Sequence, residues 1–254
     1  MTLAEVRQAL KAEANPADAA FLQRFFRTGP GEYGEGDRFL GIRVPVLRRL
    51  SRTYRGLPLK SVITLLRSPW HEARLLALLL LAERYRRGGP AEREAVFRAY
   101  LEHTRFINNW DLVDVSAYRI VGPHLDPSDL SLLERLARSP LLWERRIAML
   151  STFHWIRQGE FDPTLRIAAI LENDPHDLIH KAVGWMLREV GNRDRARAEA
   201  FLRPRCRTLP RTLLRYAIER YPEPLRQRYL RGDWPPGGDH ARRRASGALR
   251  KLSP

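Results

Sequence analysis

Cysteine is almost absent from this chain. Cys206 is the single one in 254 residues, so no intramolecular disulfide can form, and a reducing cytoplasm is the expected location. Long apolar runs are missing too. The longest, Leu75 to Ala82, is about a third of what a bilayer span requires, which excludes a membrane-crossing helix. Charged residues Glu5, Arg7, Lys11 and Glu13 interrupt the opening segment, so no secretion signal is expected. Period-two alternation and β-branched clusters are scarce, which argues against sheets. Acidic residues are outnumbered, 29 Asp and Glu against 45 Lys and Arg, for a formal net charge of +16. A chain this basic, with arginines spread along its whole length, is expected to meet a polyanion, and nucleic acid is the natural one. Solvated arginine faces are the alternative reading.

What is present is helical. Leu, Ala, Arg and Glu recur at helical spacing, and Pro45, Pro58, Pro69, Pro90, Pro127, Pro140, Pro163, Pro175 and Pro210 stand just before or inside the first turn of an apolar-periodic run. Ser68-Pro69, Thr104-Arg105, Ser139-Pro140, Asp174-Pro175 and Leu209-Pro210 open such runs at intervals of roughly 35 residues, the length of a two-helix repeat. The fold class expected is therefore all-α: a HEAT-like solenoid, a curved array of antiparallel helix pairs with a concave groove. The array should occupy residues 1–232, with 233–254 a basic, disordered tail marked by Trp234-Pro235-Pro236-Gly237-Gly238 and Arg242 to Arg244. Thr28 to Arg38, with Gly29, Gly31, Gly34 and Gly36, reads as a flexible loop.

Counted from the repeat starts, Trp110 and Arg145 lie about six residues in, Asp111, Arg146 and Lys181 about seven, Asp114 about ten and Trp185 about eleven. Positions one, four and five apart share a helix face, and equivalent faces of successive repeats line one side of a solenoid. These residues are thus expected along one groove. Taken by spacing alone, the tryptophans also fit a core, with Asp114 a helical residue salt-bridged to Arg146.

Other motifs fail on chemistry. Gly29-Pro30-Gly31-Glu32-Tyr33-Gly34 matches G-x-G-x-x-G but follows a helix, and Glu32 and Glu35 would repel phosphate. His176 and His180 have a metal-binding i, i+4 spacing without a marked third ligand, so no metal is expected. Ser116 lacks the setting of a nucleophile, and Cys206 between Arg205 and Arg207 is a weak candidate for a reactive thiol.

Four stretches, Phe39-Leu40-Gly41-Ile42-Arg43-Val44-Pro45, Asn109-Trp110-Asp111-Leu112-Val113-Asp114, Trp143-Glu144-Arg145-Arg146-Ile147-Ala148 and Lys181-Ala182-Val183-Gly184-Trp185-Met186-Leu187-Arg188-Glu189, resemble in order and separation the signature segments of the AlkD-like DNA alkylation repair glycosylases. The likeness covers roughly residues 3 to 230; the Gly-rich segment near 29–37 and the basic tail depart from it. It implies a horseshoe of HEAT-like helix pairs that hydrolyses the N-glycosidic bond of 3-alkyl- or 7-alkylpurines in duplex DNA, without a cofactor. By that resemblance Asp114 is the catalytic carboxylate, Trp110 and Trp185 face the damaged nucleotide, and Arg146 lies beside the DNA backbone. Arg43, Arg145, Lys181 and Arg188 are further candidates for DNA contact. A capped solenoid working on duplex DNA needs no second subunit, so a monomer is expected. The competing expectation is a noncatalytic helical scaffold that binds DNA structures or a protein through the same groove.

Overall fold

The computed structural model describes residues 1–234, and these are helical throughout, with one isolated bridge between Arg38 and Trp70 in place of any strand. In chain order the helices are α1 (Leu3–Ala12), α2 (Pro16–Phe25), α3 (Val44–Thr53), α4 (Leu59–Leu66), α5 (His71–Arg87), α6 (Pro90–Glu102), α7 (Trp110–Ile120), α8 (Ser131–Ala137), α9 (Leu142–Ser151), α10 (Phe153–Ile156), α11 (Asp162–Leu171), α12 (Asp177–Gly191), α13 (Arg195–Leu202), α14 (Arg211–Ala217) and α15 (Glu223–Arg231). Proline fixes the start of many of them, where its missing N–H has no intrahelical partner to lose. Pro16, Pro45, Pro90 and Pro163 occupy the first two positions of α2, α3, α6 and α11, and Pro58 and Pro210 precede α4 and α14.

The helices form two layers. α3, α5, α7, α9, α12 and α14 pack side by side in that order as an inner row, and α4, α6, α8, α11 and α13 pack against them as an outer one. The inner starts at Trp110, Leu142, Asp177 and Arg211 are 32, 35 and 34 residues apart, which is the repeat that the sequence spacing predicts. One start differs. Thr104–Phe106 is a short 3-10 turn, and α7 begins only at Trp110, where the Asn109 side chain accepts the first free backbone N–H at 2.8 Å. The register of the groove residues shifts accordingly: Asp114, Arg146 and Lys181 are each the fifth residue of α7, α9 and α12.

α5 is enclosed on every side from His71 to Ala82 because α3, α4, α6 and α7 all pack on it. Enclosure forces its polar residues to find partners. The Glu72 carboxylate accepts the backbone N–H groups of Leu40, Gly41 and Ile42 at 2.9, 2.8 and 3.2 Å, which fixes the Phe39–Arg43 stretch against α5. Gly41 is obligatory there. Its φ is +81°, and an added Cβ would lie 2.0 Å from the Asn15 carbonyl oxygen. Gly184 serves a close approach of a different kind, since a Cβ there would meet the Leu213 carbonyl oxygen at 2.6 Å where α12 crosses α14.

Two expectations about irregular segments change. The Gly-rich loop is tied at its end rather than free: Asp37 is buried and accepts hydrogen bonds from Arg74, Asn108 and Asn109. Glycine content cannot reveal this, because the anchor is a single carboxylate meeting groups far along the chain. At the other end, Trp234 packs on Tyr229 with ring centroids 5.1 Å apart, and the Arg203 and Arg228 guanidinium groups lie over its ring. The packed body therefore includes the first two residues of the segment set apart by composition; the rest of that segment, 235–254, lies outside the described residues.

Candidate active site in the inner row

The half-buried stripe of α7 runs Trp110, Asp111, Asp114, Val115, Tyr118 and Arg119, while Leu112, Val113, Ser116, Ala117 and Ile120 face the core. Asp114 sits at the middle of that stripe. Arg146, one helix along, reaches it with two parallel hydrogen bonds, Nε to Oδ1 and Nη2 to Oδ2, both 2.9 Å, and its remaining Nη1 donates to the Leu178 carbonyl of α12 at 2.7 Å. One guanidinium thus stitches three inner helices. Its side chain is only 6% exposed and that of Asp114 18%, so the carboxylate keeps an edge at the surface while the cation behind it does not. All three of its nitrogens donate within the chain, to Asp114 and Leu178, and a rigid planar fork suits that task. Burial pushes the Asp114 carboxyl above the ordinary carboxylate range; the Arg146 charge and hydrogen bonds oppose the shift, and the nearby Asp111 charge adds to it.

The tryptophans flank this pair from opposite ends. Trp110 is the first residue of α7 and Trp185 the ninth of α12, an offset of eight positions, or about 12 Å of helical rise. Trp110 stacks on Phe26 with centroids 5.2 Å apart and meets the edge of Phe25 at 6.1 Å. Trp185 lies 6.1 Å from Phe153, which in turn meets Tyr118 edge-on at 5.4 Å, and its indole N–H donates to Glu189 at 3.3 Å. Both are half-buried, so neither is a core residue. The structure brings Asp114 and Arg146 into direct contact and sets the two tryptophans among separate aromatic neighbours.

Beside Trp110 lies a polar network that sequence reading missed. His71 donates from Nε2 to Asp111 at 2.8 Å, and its Nδ1 lies 3.2 Å from Asp37, which also takes Arg74 at 2.6 Å. Burial alone would lower the His71 pKa; the Asp111 charge and the hydrogen bonds to Asp111 and Asp37 overcome it and push it up to about 9. His71 is therefore a cation at neutral pH, matched by two carboxylates and packed beside Phe26 and Phe39, with ring centroids 4.9 and 4.6 Å away. Burial raises the Asp37 carboxyl, yet His71, Arg74 and Asn109 hold it below its usual range. The network joins the Gly-rich loop, α5 and the first turn of α7.

Exposed aromatics were missed as well. Phe21 and Phe25 are 47% and 54% exposed, on a helix with no buried residue, and they continue the stack from Trp110 outward. Their i, i+4 spacing was the available signal. Tyr33 of the Gly-rich loop also reaches across to Trp143 of α9, centroids 6.1 Å apart.

The basic candidates are all occupied. Arg43 is ion-paired with Asp18 through Nε at 2.8 Å, Arg145 with Asp174 at 2.6 Å, Lys181 with Asp177 at 2.7 Å, and Arg188 with Glu219. His176 caps α12 by accepting the Leu178 N–H at 3.1 Å, and His180 bonds the Asp174 carbonyl at 2.5 Å, so the pair serves the helix start. Ser116 donates to the Leu112 carbonyl at 2.6 Å beneath Tyr100. Burial pushes the Cys206 thiol up, only partly opposed by Arg207, and Arg205 turns away to Glu172. The thiol is thus less reactive than its two arginine neighbours suggest.

Comparison with known proteins agrees with this architecture. The fold is similar to that of a predicted DNA alkylation repair enzyme from Enterococcus faecalis, with a TM-score of 0.64 and 19% identity over 83% of this chain and 98% of that one. No similar sequence is found among the curated proteins. The model of one family, described as DNA alkylation repair enzyme, matches residues 6–221, and the chain belongs to that family.

Proposed function

We propose that the protein is a DNA glycosylase that hydrolyses the N-glycosidic bond of cationic alkylated purines, 3-alkyladenine and 7-alkylguanine, in duplex DNA. One observation carries the reading: a partly exposed carboxylate, Asp114, fixed by a buried bidentate arginine in a row between two aromatic groups. An alkylpurine that already bears positive charge leaves without protonation of the base, so the acid of an ordinary glycosidase pair is dispensable and a single carboxylate suffices. The remaining task is to stabilise an oxocarbenium-like sugar. An ionised Asp114 does so electrostatically and orients the attacking water. Arg146 opposes the neutralising effect of burial and locks the angle of the carboxylate.

Trp110 and Trp185 present ring faces to the sugar from the two ends of the site, favouring a developing cation and excluding water. Phe21 and Phe25 extend the apolar surface on the Trp110 side, where an unstacked base or an alkyl group would rest. His71, through Asp111, sets the first turn of α7 and with it the position of Trp110. The test compares Asp114→Asn with the parent on duplex DNA carrying 7-methylguanine. The expected result is a loss of single-turnover release with DNA binding retained; release by the variant at the parent rate removes the proposal.

A further inference from the structure

At the C-terminal ends of α3, α5 and α7, a cavity of about 780 Å³ opens beside Tyr118 and Arg119 of the half-buried stripe of α7. Eight arginines line it against one carboxylate, Glu83. Glu83 is already taken by Arg86 at 2.7 Å and Arg87 at 3.7 Å. Arg48, Arg52, Arg55 and Arg157 have exposed side chains and no hydrogen-bond or ion-pair partner among the described residues. They contrast with Arg43, Arg145, Arg146, Lys181 and Arg188, every one of which is bound to a carboxylate of its own chain. Converging like charges repel, and folding keeps them together only at a cost that an anion would offset. Tyr118 links the cavity to the candidate active site: it lines the cavity, stands one helical turn past Asp114, and touches Phe153, the neighbour of Trp185.

We propose that this cavity is the phosphate-binding site of the protein, holding consecutive backbone phosphates of the DNA strand that carries the reacting nucleotide, with Arg48, Arg52, Arg55 and Arg157 as the contacts. The strand assignment rests on the function proposed above; the phosphate site itself does not. Arginine suits the task because its charge is permanent and its planar fork matches phosphate oxygens. Such contacts position the duplex without reading sequence. Release of condensed counterions makes each contact measurable as a term in the salt dependence.

The experiment measures binding of unmodified duplex DNA by fluorescence anisotropy from 50 to 200 mM salt. It compares the parent with Arg52→Gln/Arg157→Gln and with Arg98→Gln/Arg135→Gln, which removes the same charge from exposed sites on α6 and α8 of the outer layer. The cavity variant is expected to flatten the slope of log affinity against log salt by about 1.8, two phosphate contacts at roughly 0.9 each, while the outer-layer variant keeps the parent slope. Arg48→Gln/Arg55→Gln, a second pair on the cavity wall, is expected to repeat the result. An unchanged slope in both cavity variants, or an equal loss in the outer-layer variant, overturns the proposal. Because the DNA is undamaged, these outcomes are independent of excision: a failure of the glycosylase reading shows in the Asp114→Asn comparison and leaves the slopes to be judged alone.

Discussion

Replacing Arg146 by methionine, which keeps length and removes charge, tests the ion pair that fixes Asp114. The substitution strips Asp114 of both its hydrogen bonds and leaves the Leu178 carbonyl without its side-chain donor. Breaking a buried ion pair from one side typically costs about 3–5 kcal/mol, because the remaining charge stays desolvated. Asp114 is 18% exposed, so water softens the penalty, and the lower end, about 3 kcal/mol, is expected. Removing both partners should hurt less, since Asp114→Leu/Arg146→Met leaves no orphaned charge and fills the volume with apolar groups. Urea titration of the parent, the single and the double variant at pH 7.5 measures both effects as shifts of the unfolding midpoint. A single variant within about 1 kcal/mol of the parent would contradict a stabilising Asp114–Arg146 pair, as would a double variant no more stable than the single one.

The pH dependence of stability reports on His71. Its folded pKa of about 9 stands above the ordinary 6.5, so its contribution is complete below about pH 6.5 and is lost as pH rises through 9, roughly 3 kcal/mol in all. His71→Gln, followed by urea midpoints from pH 6 to 10, should lack that slope; a variant as pH-sensitive as the parent contradicts the ion network. The excision rate should fall on the acid side at a pH above the ordinary carboxylate range, because Asp114 has a raised pKa and works ionised, and a single-turnover profile flat from pH 5 to 8 would count against it. Gly41→Ala should destabilise the protein by several times the ~1 kcal/mol of an ordinary helix glycine change, since both the positive φ and the Asn15 carbonyl oppose it, and an unaltered urea midpoint would show that the turn adapts.

Helix class, repeat length and the row containing Asp114 were legible because period and proline placement act locally, and the inner helices repeat one pattern. Two kinds of information were not. Partner choice among charged groups is long-range: nothing in Glu144-Arg145-Arg146-Ile147 says that Arg146 turns inward to Asp114 while Arg145 takes Asp174. The Asp37–His71–Asp111 network is hidden for the same reason, being assembled from a glycine-rich loop, the start of α5 and the start of α7. Register was the other gap. Thr104-Arg105 has the composition of a helix start, but Asn109 provides the cap, and the six-residue difference moves Trp110 to the head of its helix, away from the level of Trp185. The four cavity arginines with no partner among the described residues were equally invisible, for they look no different in sequence from those already bound to carboxylates.

Release of the damaged base separates catalysis from mere binding. Methylated genomic DNA is incubated with the protein, and the small molecules released are identified by mass spectrometry. Free 7-methylguanine and 3-methyladenine are expected from the parent and neither from Asp114→Asn. Intact methylated bases left in DNA by a folded parent protein, or equal release by the variant, would contradict a glycosylase acting through Asp114.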